Sequence, residues 1–139
     1  MPDPNDAARR AANRALVERF MGAIGRRDWS TLRAICDPDF LFEAPYGDPP
    51  FRVEGLEAYL GYVEQPLEIF RFELVLDRLH EALDPDHAIA EYRSDGIATP
   101  TGKPYLNRYV GFFSLGEGRI RGLREYWNPA VATESLAAD

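Results

Sequence analysis

The sequence predicts an α+β fold, in which a curved antiparallel sheet wraps around three helices of the N-terminal half. Two patterns support this prediction. Apolar residues recur every three or four positions in much of the first half, as on one face of a helix, and alternate with polar residues in the second half, as in a half-buried strand. Short turn sequences separate the alternating segments, so we expect consecutive strands to form a meander. Such a sheet leaves a cone whose open end can admit a small molecule.

The first helix is predicted to begin near Ala7 and to end at Gly25. Asn5 or Asp6 can cap its N-terminus, because a short polar side chain there accepts a hydrogen bond from a free backbone N–H group. Apolar residues at helical spacing predict one buried face. They are Ala8, Ala12, Ala15, Leu16, Phe20, Ala23 and Ile24.

Two shorter helices are predicted to follow. Asp28 is expected to cap the second, whose sequence is WSTLRAIC. A turn at residues 37–39 then leads into a strand, FLFEAPYG. The third helix is predicted from Gly55 to Glu64, and Pro66 is expected to stop it because proline lacks the N–H group that a helix interior requires.

Four β-segments are predicted in the second half, with the sequences EIFRFELVLDRLHEAL, HAIAEYRSDGIA, YLNRYVGFFSL and RIRGLREYWN. DPD, TPTGKP and GEG provide the turns between them. Residues 129–136 form either a short helix or a tail. The length of 139 residues fits one domain, 1–139, with a core over about residues 7–130.

Charge and composition argue against several kinds of partner. The net charge of −7 repels phosphate backbones, so we expect no nucleic-acid partner. The sequence has neither an apolar run long enough for a membrane span nor the apolar core of a secretory signal, so a cytoplasmic location is expected. A single cysteine, Cys36, excludes an intrachain disulfide and a cysteine-based zinc cluster. His80 and His87 are interpreted as strand and turn residues, and no metal site is predicted.

The loop PYGDPPFRVEG leads into the third helix, and the final hairpin ends in REYWN. Together with the order of the predicted helices and strands, these two segments resemble the NTF2-like superfamily. Relatives include ketosteroid isomerases, SnoaL-type polyketide cyclases, limonene-epoxide hydrolases and phenazine-biosynthesis proteins. The resemblance covers roughly residues 10–130 and implies the cone fold of that superfamily. It also implies a homodimer formed through the outer face of the sheet, and two predicted strands carry apolar residues on both faces.

The resemblance to ketosteroid isomerases does not extend to their catalytic residues. Those enzymes use a tyrosine and two aspartates. The matching positions here hold Phe20, Ala44 and Val110, all of which are apolar. We therefore expect no ketosteroid isomerase activity, and we interpret Phe20, Phe42 and Ala44 as walls of a pocket.

Glu125, in REYWN, matches an acidic residue of two other groups of relatives. In limonene-epoxide hydrolases Glu125 matches the last aspartate of an Asp-Arg-Asp relay that activates water. The other two members fall near Tyr92 and Ser94, which are neither acidic nor basic, so that hydrolysis is disfavoured. The phenazine-biosynthesis proteins are similar in DPDHAIAE, YLNRYVGFFSLGEGRI and REY, and a glutamate at this position is taken to assist a condensation. Their helix-three histidine has no counterpart here.

Strand alternation predicts that Glu125 points into the cone together with Trp127. Burial among aromatic rings raises the pKa of a carboxyl group toward neutrality, as a general acid or base requires. By the same alternation Arg108 is expected to face inward, where an ion pair with Glu125 would lower that pKa. Glu91 and Asn107 are predicted to face outward.

Two functions fit these expectations. The first is an enzyme without a cofactor that acts by proton transfer on a hydrophobic cyclic molecule, as a cyclase, dehydratase, isomerase or condensing enzyme, with Glu125 as acid or base and Arg108 or a tyrosine polarising an oxygen. The second is a non-catalytic module that binds an apolar ligand or dimerises, in which Glu125 and Arg108 form a structural pair. The residues expected to contact the ligand are Phe20, Phe42, Ala44, Tyr46, Tyr59, Tyr62, Tyr92, Val110 and Trp127.

Overall fold

The computed structural model describes residues 3–139, over which the chain forms four helices and a seven-stranded sheet. The helices are α1 (Pro4–Arg26), α2 (Trp29–Ile35), α3 (Leu56–Ile69) and α4 (Pro129–Leu136). The strands are β1 (Cys36–Ala44), β2 (Phe51–Glu54), β3 (Phe70–Glu81), β4 (His87–Ala98), β5 (Pro104–Tyr105), β6 (Arg108–Gly116) and β7 (Arg119–Trp127). The predicted domain also includes Met1 and Pro2, which lie outside the described residues.

The sheet is mixed, with the strand order β2-β1-β7-β6-β4-β3, and β5 pairs with β4. Strands β3, β4, β6 and β7 form the predicted antiparallel meander, whereas β1 pairs with β7 in parallel. Helix α1 packs on β3, and α3 packs on β1. The predicted α+β cone is therefore confirmed, with a parallel pair and a fourth helix added to it.

Helix α1 begins earlier than predicted. The carboxylate of Asp3 accepts a hydrogen bond from the backbone N–H of Asn5 at 2.9 Å and caps the helix. The helix also passes Gly25 and ends at Arg26. Of the predicted apolar face, the three alanines near the start are exposed, and Leu16, Phe20, Ala23 and Ile24 are buried. Val17 and Met21, which the pattern did not include, are buried as well.

The second helix confirms one prediction, and the third corrects another. Asp28 caps α2 as expected, accepting a hydrogen bond from the backbone N–H of Thr31 at 3.1 Å. Pro66 lies inside α3, so the prediction that it stops the helix is wrong. Its ring removes only one intrahelical donor, and the backbone N–H of Phe70 still bonds to its carbonyl. Within the described residues, no helix is long and apolar enough to cross a membrane.

The predicted turn at residues 37–39 lies inside β1. The side chain of Asp37 accepts a hydrogen bond from the backbone N–H of Asp39 at 2.8 Å, and the pairing of β1 with β7 shifts between Cys36 and Leu41. The turn-forming residues therefore bend the strand without ending it. At the other end of the chain, Asn128 caps α4, so residues 129–136 form a helix rather than a tail.

Candidate functional site

A cavity of about 240 Å³ lies between α3, α4 and the inner face of the sheet. Most of its wall is aromatic or aliphatic, and Glu125 is the one charged residue among those that line it. Larger depressions, of about 520 and 760 Å³, lie elsewhere on the surface. The smaller cavity is the candidate site, because a carboxylate among apolar walls is the combination expected of a ligand site. Its aromatic lining residues are Phe42, Tyr59, Tyr62, Phe70, Phe72, Tyr105, Tyr109 and Trp127.

Glu125 enters the cavity from β7, on the same side of the strand as Leu123 and Trp127. Burial of this side chain raises the pKa of its carboxyl group to about 7. A hydrogen bond that the hydroxyl of Tyr92 donates to Oε2 acts in the opposite direction and lowers the pKa. Burial is the larger effect, so both the neutral and the ionised carboxyl group are populated near neutral pH.

Tyr92 reaches Glu125 across an intervening strand, because Tyr92 lies on β4, Glu125 on β7 and β6 runs between them. The residue of β6 opposite Glu125 is Gly111. A Cβ atom at Gly111 would lie 2.9 Å from the Tyr92 hydroxyl oxygen and 2.9 Å from Cδ1 of Leu123, closer than real Cβ contacts. The glycine therefore leaves the space that the tyrosine needs.

The Tyr92 hydroxyl stays protonated and acts as the donor in this contact. Burial raises its pKa well above the usual value, and the nearby charge of Glu125 raises it further. Its ring stacks on that of Tyr109, with centroids 5.1 Å apart and planes 5° from parallel. Stacking fixes the direction of the hydroxyl, so the carboxyl group of Glu125 is held in one place.

A second polar group of the cavity wall is formed by Tyr105 and Tyr109, whose hydroxyl oxygens lie 2.7 Å apart. Asn107 donates a hydrogen bond to the Tyr105 hydroxyl at 3.0 Å. Asn107 is fully buried, so the prediction that it faces outward is wrong, whereas Glu91 is exposed as predicted. Tyr105, Asn107 and Tyr109 are alternate residues of one segment, so their side chains share a face, and the prediction that Asn107 faces outward hid this network.

The structure places Arg108 and Val110 on the outer face, which corrects the predicted inward direction of both side chains. Arg108 is exposed and forms no ion pair with Glu125 in the described part of the chain. The cause is a bulge in the last hairpin, where the pairing changes from Leu115 opposite Ile120 to Ser114 opposite Gly122. One extra residue in β7 exchanges the two faces of β6 relative to Glu125.

Tyr46 also lies outside the cavity. Its side chain is 58% exposed and packs on Tyr126 at 5.1 Å, on the outer side of the sheet. It follows the end of β1 and turns away from the cone.

Phe20 and Ala44 are core residues rather than cavity walls. Phe20 is 2% exposed and packs between Phe40 and Phe113, with centroids 6.2 and 5.6 Å away, and Ala44 has no exposed surface. Neither is among the residues that line the cavity. Four of the predicted ligand residues do line the cavity, and a fifth, Tyr92, touches the site through Glu125. The four are Phe42, Tyr59, Tyr62 and Trp127.

Other reactive groups do not form a site. Over residues 3–139, no group of three or more His, Cys, Asp or Glu side chains is placed to hold a metal ion. Cys36 is buried, and burial raises the pKa of its thiol to about 12, which makes it a poor nucleophile near neutral pH. The chemistry available at the cavity is therefore that of a carboxyl group and tyrosine hydroxyls.

Comparison with known proteins gives a consistent set of relatives. The model of the SnoaL-like domain matches residues 17–123. The uncharacterized protein YesE of Bacillus subtilis is 30% identical over 123 residues, which are 86% of this chain and 84% of YesE. Phenazine biosynthesis protein PhzA1 of Pseudomonas aeruginosa is 31% identical over 136 residues, 91% of this chain and 82% of PhzA1.

A solved structure supports the same fold. A phenazine biosynthesis-related protein of Pseudomonas aeruginosa superimposes with a TM-score of 0.79 at 21% identity, covering 97% of this chain and 91% of that one. At this level of identity the likeness concerns the fold, and it agrees with the cone described above.

Proposed function

The chain belongs to the SnoaL-like domain family, and we propose that it is an enzyme that moves a proton on a hydrophobic, cyclic small molecule. The observation that carries this proposal is the carboxyl group of Glu125, which lies in an aromatic cavity with its pKa raised to about 7. A group with such a pKa can accept and return a proton at neutral pH, as general acid–base catalysis requires. The name of PhzA1, a phenazine biosynthesis protein, supports a role in small-molecule chemistry.

In the proposed mechanism the two oxygens of Glu125 have separate roles. Oε2 accepts the hydrogen bond from Tyr92, whereas Oε1 accepts none from the described residues. Oε1 is therefore the atom that takes a proton from a substrate carbon and returns it to another position. Tyr92 is a positioning residue, since it fixes the carboxyl group without lining the cavity. A cyclisation, isomerisation, dehydration or condensation can each use such a step.

The composition of the cavity wall favours an uncharged, ring-shaped substrate. The residues that line it include no lysine, arginine or histidine, so an anionic group would find no counter-charge there. Aromatic walls favour flat rings, and a volume of about 240 Å³ suits one or two of them. We propose no ketosteroid isomerase activity, because Phe20, Ala44 and Val110 bring no polar group to the cavity.

The direct test is exchange of carbon-bound protons in D₂O. A panel of cyclic ketones, with 2-tetralone first, is incubated with the wild-type protein and with Glu125→Gln, and deuterium beside the carbonyl is followed by NMR. We expect wild-type exchange above the buffer rate and a loss of roughly 10²- to 10⁴-fold in Glu125→Gln. Tyr126→Phe, on the outer face, is the control that keeps full exchange. Equal exchange by Glu125→Gln would falsify the proposal.

A non-catalytic binding module is the second candidate, and the position of Arg108 favours it. Because Arg108 lies on the outer face, Glu125 lacks the cationic partner that would polarise a substrate oxygen. In this case no ketone of the panel exchanges, and Glu125→Gln keeps or improves ligand affinity, since an amide is easier to bury than a charge.

We also propose that two copies of the chain pair through the outer face of the sheet. Val110, Phe112 and Tyr126 lie there, half-buried in the single chain. Apolar side chains on the solvent side of a sheet are typical of a protein–protein contact. We also propose a cytoplasmic location and a reaction that needs no cofactor.

A further inference from the structure

We propose that helix α4 sets the size of the ligand, and that Ala132 is the specificity-determining residue that limits it to one or two fused rings. The inference rests on the proposed function, because it concerns the same cavity, and it narrows the substrate class to compact molecules of that size. It is drawn from the composition of the cavity wall and from the way in which α4 is held at both ends.

Ala132 has the smallest side chain of the described residues that line the cavity. The other lining residues carry aromatic rings, larger aliphatic groups or, in Glu125, a carboxyl group. Because α4 contributes a single methyl group to the wall, the backbone of the helix lies directly behind it. A methyl group has no side-chain rotamer that turns aside for a ligand. The position of this wall therefore depends on the position of α4 itself.

The start of α4 is held by the buried side chain of Asn107. Its Nδ2 donates a hydrogen bond to the backbone carbonyl of Asn128 at 3.0 Å, and its Oδ1 accepts one from the backbone N–H of Asn128 at 3.2 Å. Asn128 in turn caps the helix by accepting a hydrogen bond from the backbone N–H of Ala130 at 3.0 Å. Because Asn107 has no exposed surface, water competes little for its two bonds, and the first turn is fixed relative to the sheet.

The end of α4 is held by the turn between β4 and β5. The hydroxyl of Thr101 donates a hydrogen bond to the backbone carbonyl of Ser135, and Nζ of Lys103 donates one to the backbone carbonyl of Ala137, each at 2.5 Å. Carbonyl groups at the end of a helix have no donor within the helix, so these side chains satisfy them. Lys103 also forms an ion pair with Asp139 at 3.0 Å. The helix, about 12 Å long, is thus fixed at both ends.

A helix held in this way gives the cavity a firm size limit. A ligand of three fused rings exceeds the volume of about 240 Å³, so it has to displace α4 and break hydrogen bonds at one end. A ligand of one or two rings leaves those bonds intact. The limit lies beyond residues 17–123, which the SnoaL-like model matches, so it is set by a segment outside the part of the chain that the family model describes.

The test measures the binding of cyclohexanone, 2-tetralone and 9-fluorenone, which have one, two and three rings, by NMR shifts of the backbone amides. We expect the wild-type protein to bind 9-fluorenone about tenfold more weakly than 2-tetralone, or weaker still. Ala132→Phe puts a ring of the protein into the cavity in place of one ring of the ligand. It should bind 2-tetralone roughly tenfold to hundredfold more weakly than the wild-type protein, and cyclohexanone within about threefold of it.

Ala130→Phe is the matched control, because it makes the same change in the same helix at an exposed position that does not line the cavity. It should bind the three ketones as the wild-type protein does. Thr101→Val/Lys103→Met removes both donors at the end of α4 and should bind 9-fluorenone about tenfold more tightly than the wild-type protein. Circular dichroism shows whether each variant is folded, and this double variant provides the comparison if Ala132→Phe is not.

Three results contradict the inference. They are a folded Ala132→Phe protein with wild-type affinity for 2-tetralone, a wild-type protein that binds 9-fluorenone as tightly as 2-tetralone, and a wild-type protein that binds none of the three. The outcome is separable from the proposed function, because binding needs no proton transfer. If ketones exchange protons through Glu125 but Ala132→Phe still accepts 2-tetralone, the size inference alone fails. If the size limit is found but no ketone exchanges, the proposed catalysis fails and the size limit remains.

Discussion

The hydroxyl of Tyr92 on β4 donates a hydrogen bond to Oε2 of Glu125 on β7, passing over Gly111 on the strand between them. The contact spans three neighbouring strands, because the two side chains meet above Gly111, which has no side chain to block them. It sets both the position of the carboxyl group and part of its pKa, because a hydrogen bond to the ionised form favours that form. The glycine is therefore as much a part of the candidate site as the two residues that touch.

Gly111→Ala should break this contact. The added Cβ would lie 2.9 Å from the Tyr92 hydroxyl oxygen, so the ring must move away from Glu125. Glu125 then loses the hydrogen bond that lowers its pKa, and we expect the pKa to rise above about 7. The measurement is a carboxyl ¹³C NMR titration of labelled protein. Urea unfolding should also show a destabilisation of roughly 1–3 kcal/mol, because the added Cβ crowds the strand.

Gly61→Ala is the matched control for that substitution. Gly61 lies on the exposed side of α3, and a Cβ there meets nothing within 4 Å. We expect an unchanged pKa of Glu125 and a protein more stable by up to ~1 kcal/mol, since alanine favours a helix over glycine. A Gly111→Ala protein with the wild-type titration would show that Tyr92 does not need the space.

Tyr92→Phe should move the pH dependence of the proposed exchange reaction. The ionised form of Glu125 is the base, so the wild-type rate should rise with a midpoint near the pKa of about 7. Without the hydroxyl the ionised form loses its hydrogen bond, and the midpoint should move to higher pH. The measurement is the exchange rate of 2-tetralone from about pH 5 to 9. A lower rate with an unmoved midpoint contradicts the role given to the hydrogen bond.

The sequence pattern predicted the fold better than it predicted the site. Alternation and turn residues were sufficient for the meander, because burial of one face controls pairing of strands. The direction of Glu125 also follows from alternation along β7. The directions of the side chains of β6 do not follow from alternation, because a bulge between Ser114 and Leu115 moves the pairing register by one residue. Nothing in the sequence GEGRIRG indicates where this bulge lies. Arg108 and Val110 were therefore assigned to the wrong side.

Contacts between distant segments lay beyond the sequence for a different reason. The hydrogen bond from Asn107 to the backbone carbonyl of Asn128 joins residues 21 positions apart, where the segment between β5 and β6 meets the start of α4, and no local pattern describes that meeting. For the contact between Tyr92 and Glu125, the sequence offered one signal, Gly111. A glycine in the middle of an alternating strand indicates a close approach of another group, which here is the Tyr92 hydroxyl.

Phe112→Lys should weaken the proposed pairing of two copies. Phe112 lies on the outer face, with the guanidinium group of Arg124 4.7 Å from its ring centre. A lysine there places a charge in the proposed contact and leaves the cavity untouched, so we expect monomers with normal exchange activity. Sedimentation velocity measures the change. Leu83→Lys, at a fully exposed turn position, is the control that keeps the dimer, and a wild-type protein that sediments as a monomer contradicts the pairing.

Glu125→Gln should remove a pH dependence of stability. The ordinary pKa of this group is 4.5 and its folded pKa is about 7, so between these values the folded state binds more protons than the unfolded state. Stability from this group is therefore fully present below pH 4.5 and is lost as the pH rises through about 7. The loss is up to ~3 kcal/mol, since one pKa unit corresponds to about 1.4 kcal/mol.

The measurement compares urea unfolding of the wild-type protein and Glu125→Gln at about pH 5 and pH 8, on either side of most of that transition. We expect the wild-type protein to lose more stability between the two pH values than Glu125→Gln does, because the amide carries no charge to bury at the higher pH. Glu64→Gln, on the exposed side of α3, removes a solvated carboxylate and should follow the wild-type curve. If Glu125→Gln and the wild-type protein lose the same stability, the carboxyl group of Glu125 titrates as it does in water, and the acid–base role proposed for it has no support.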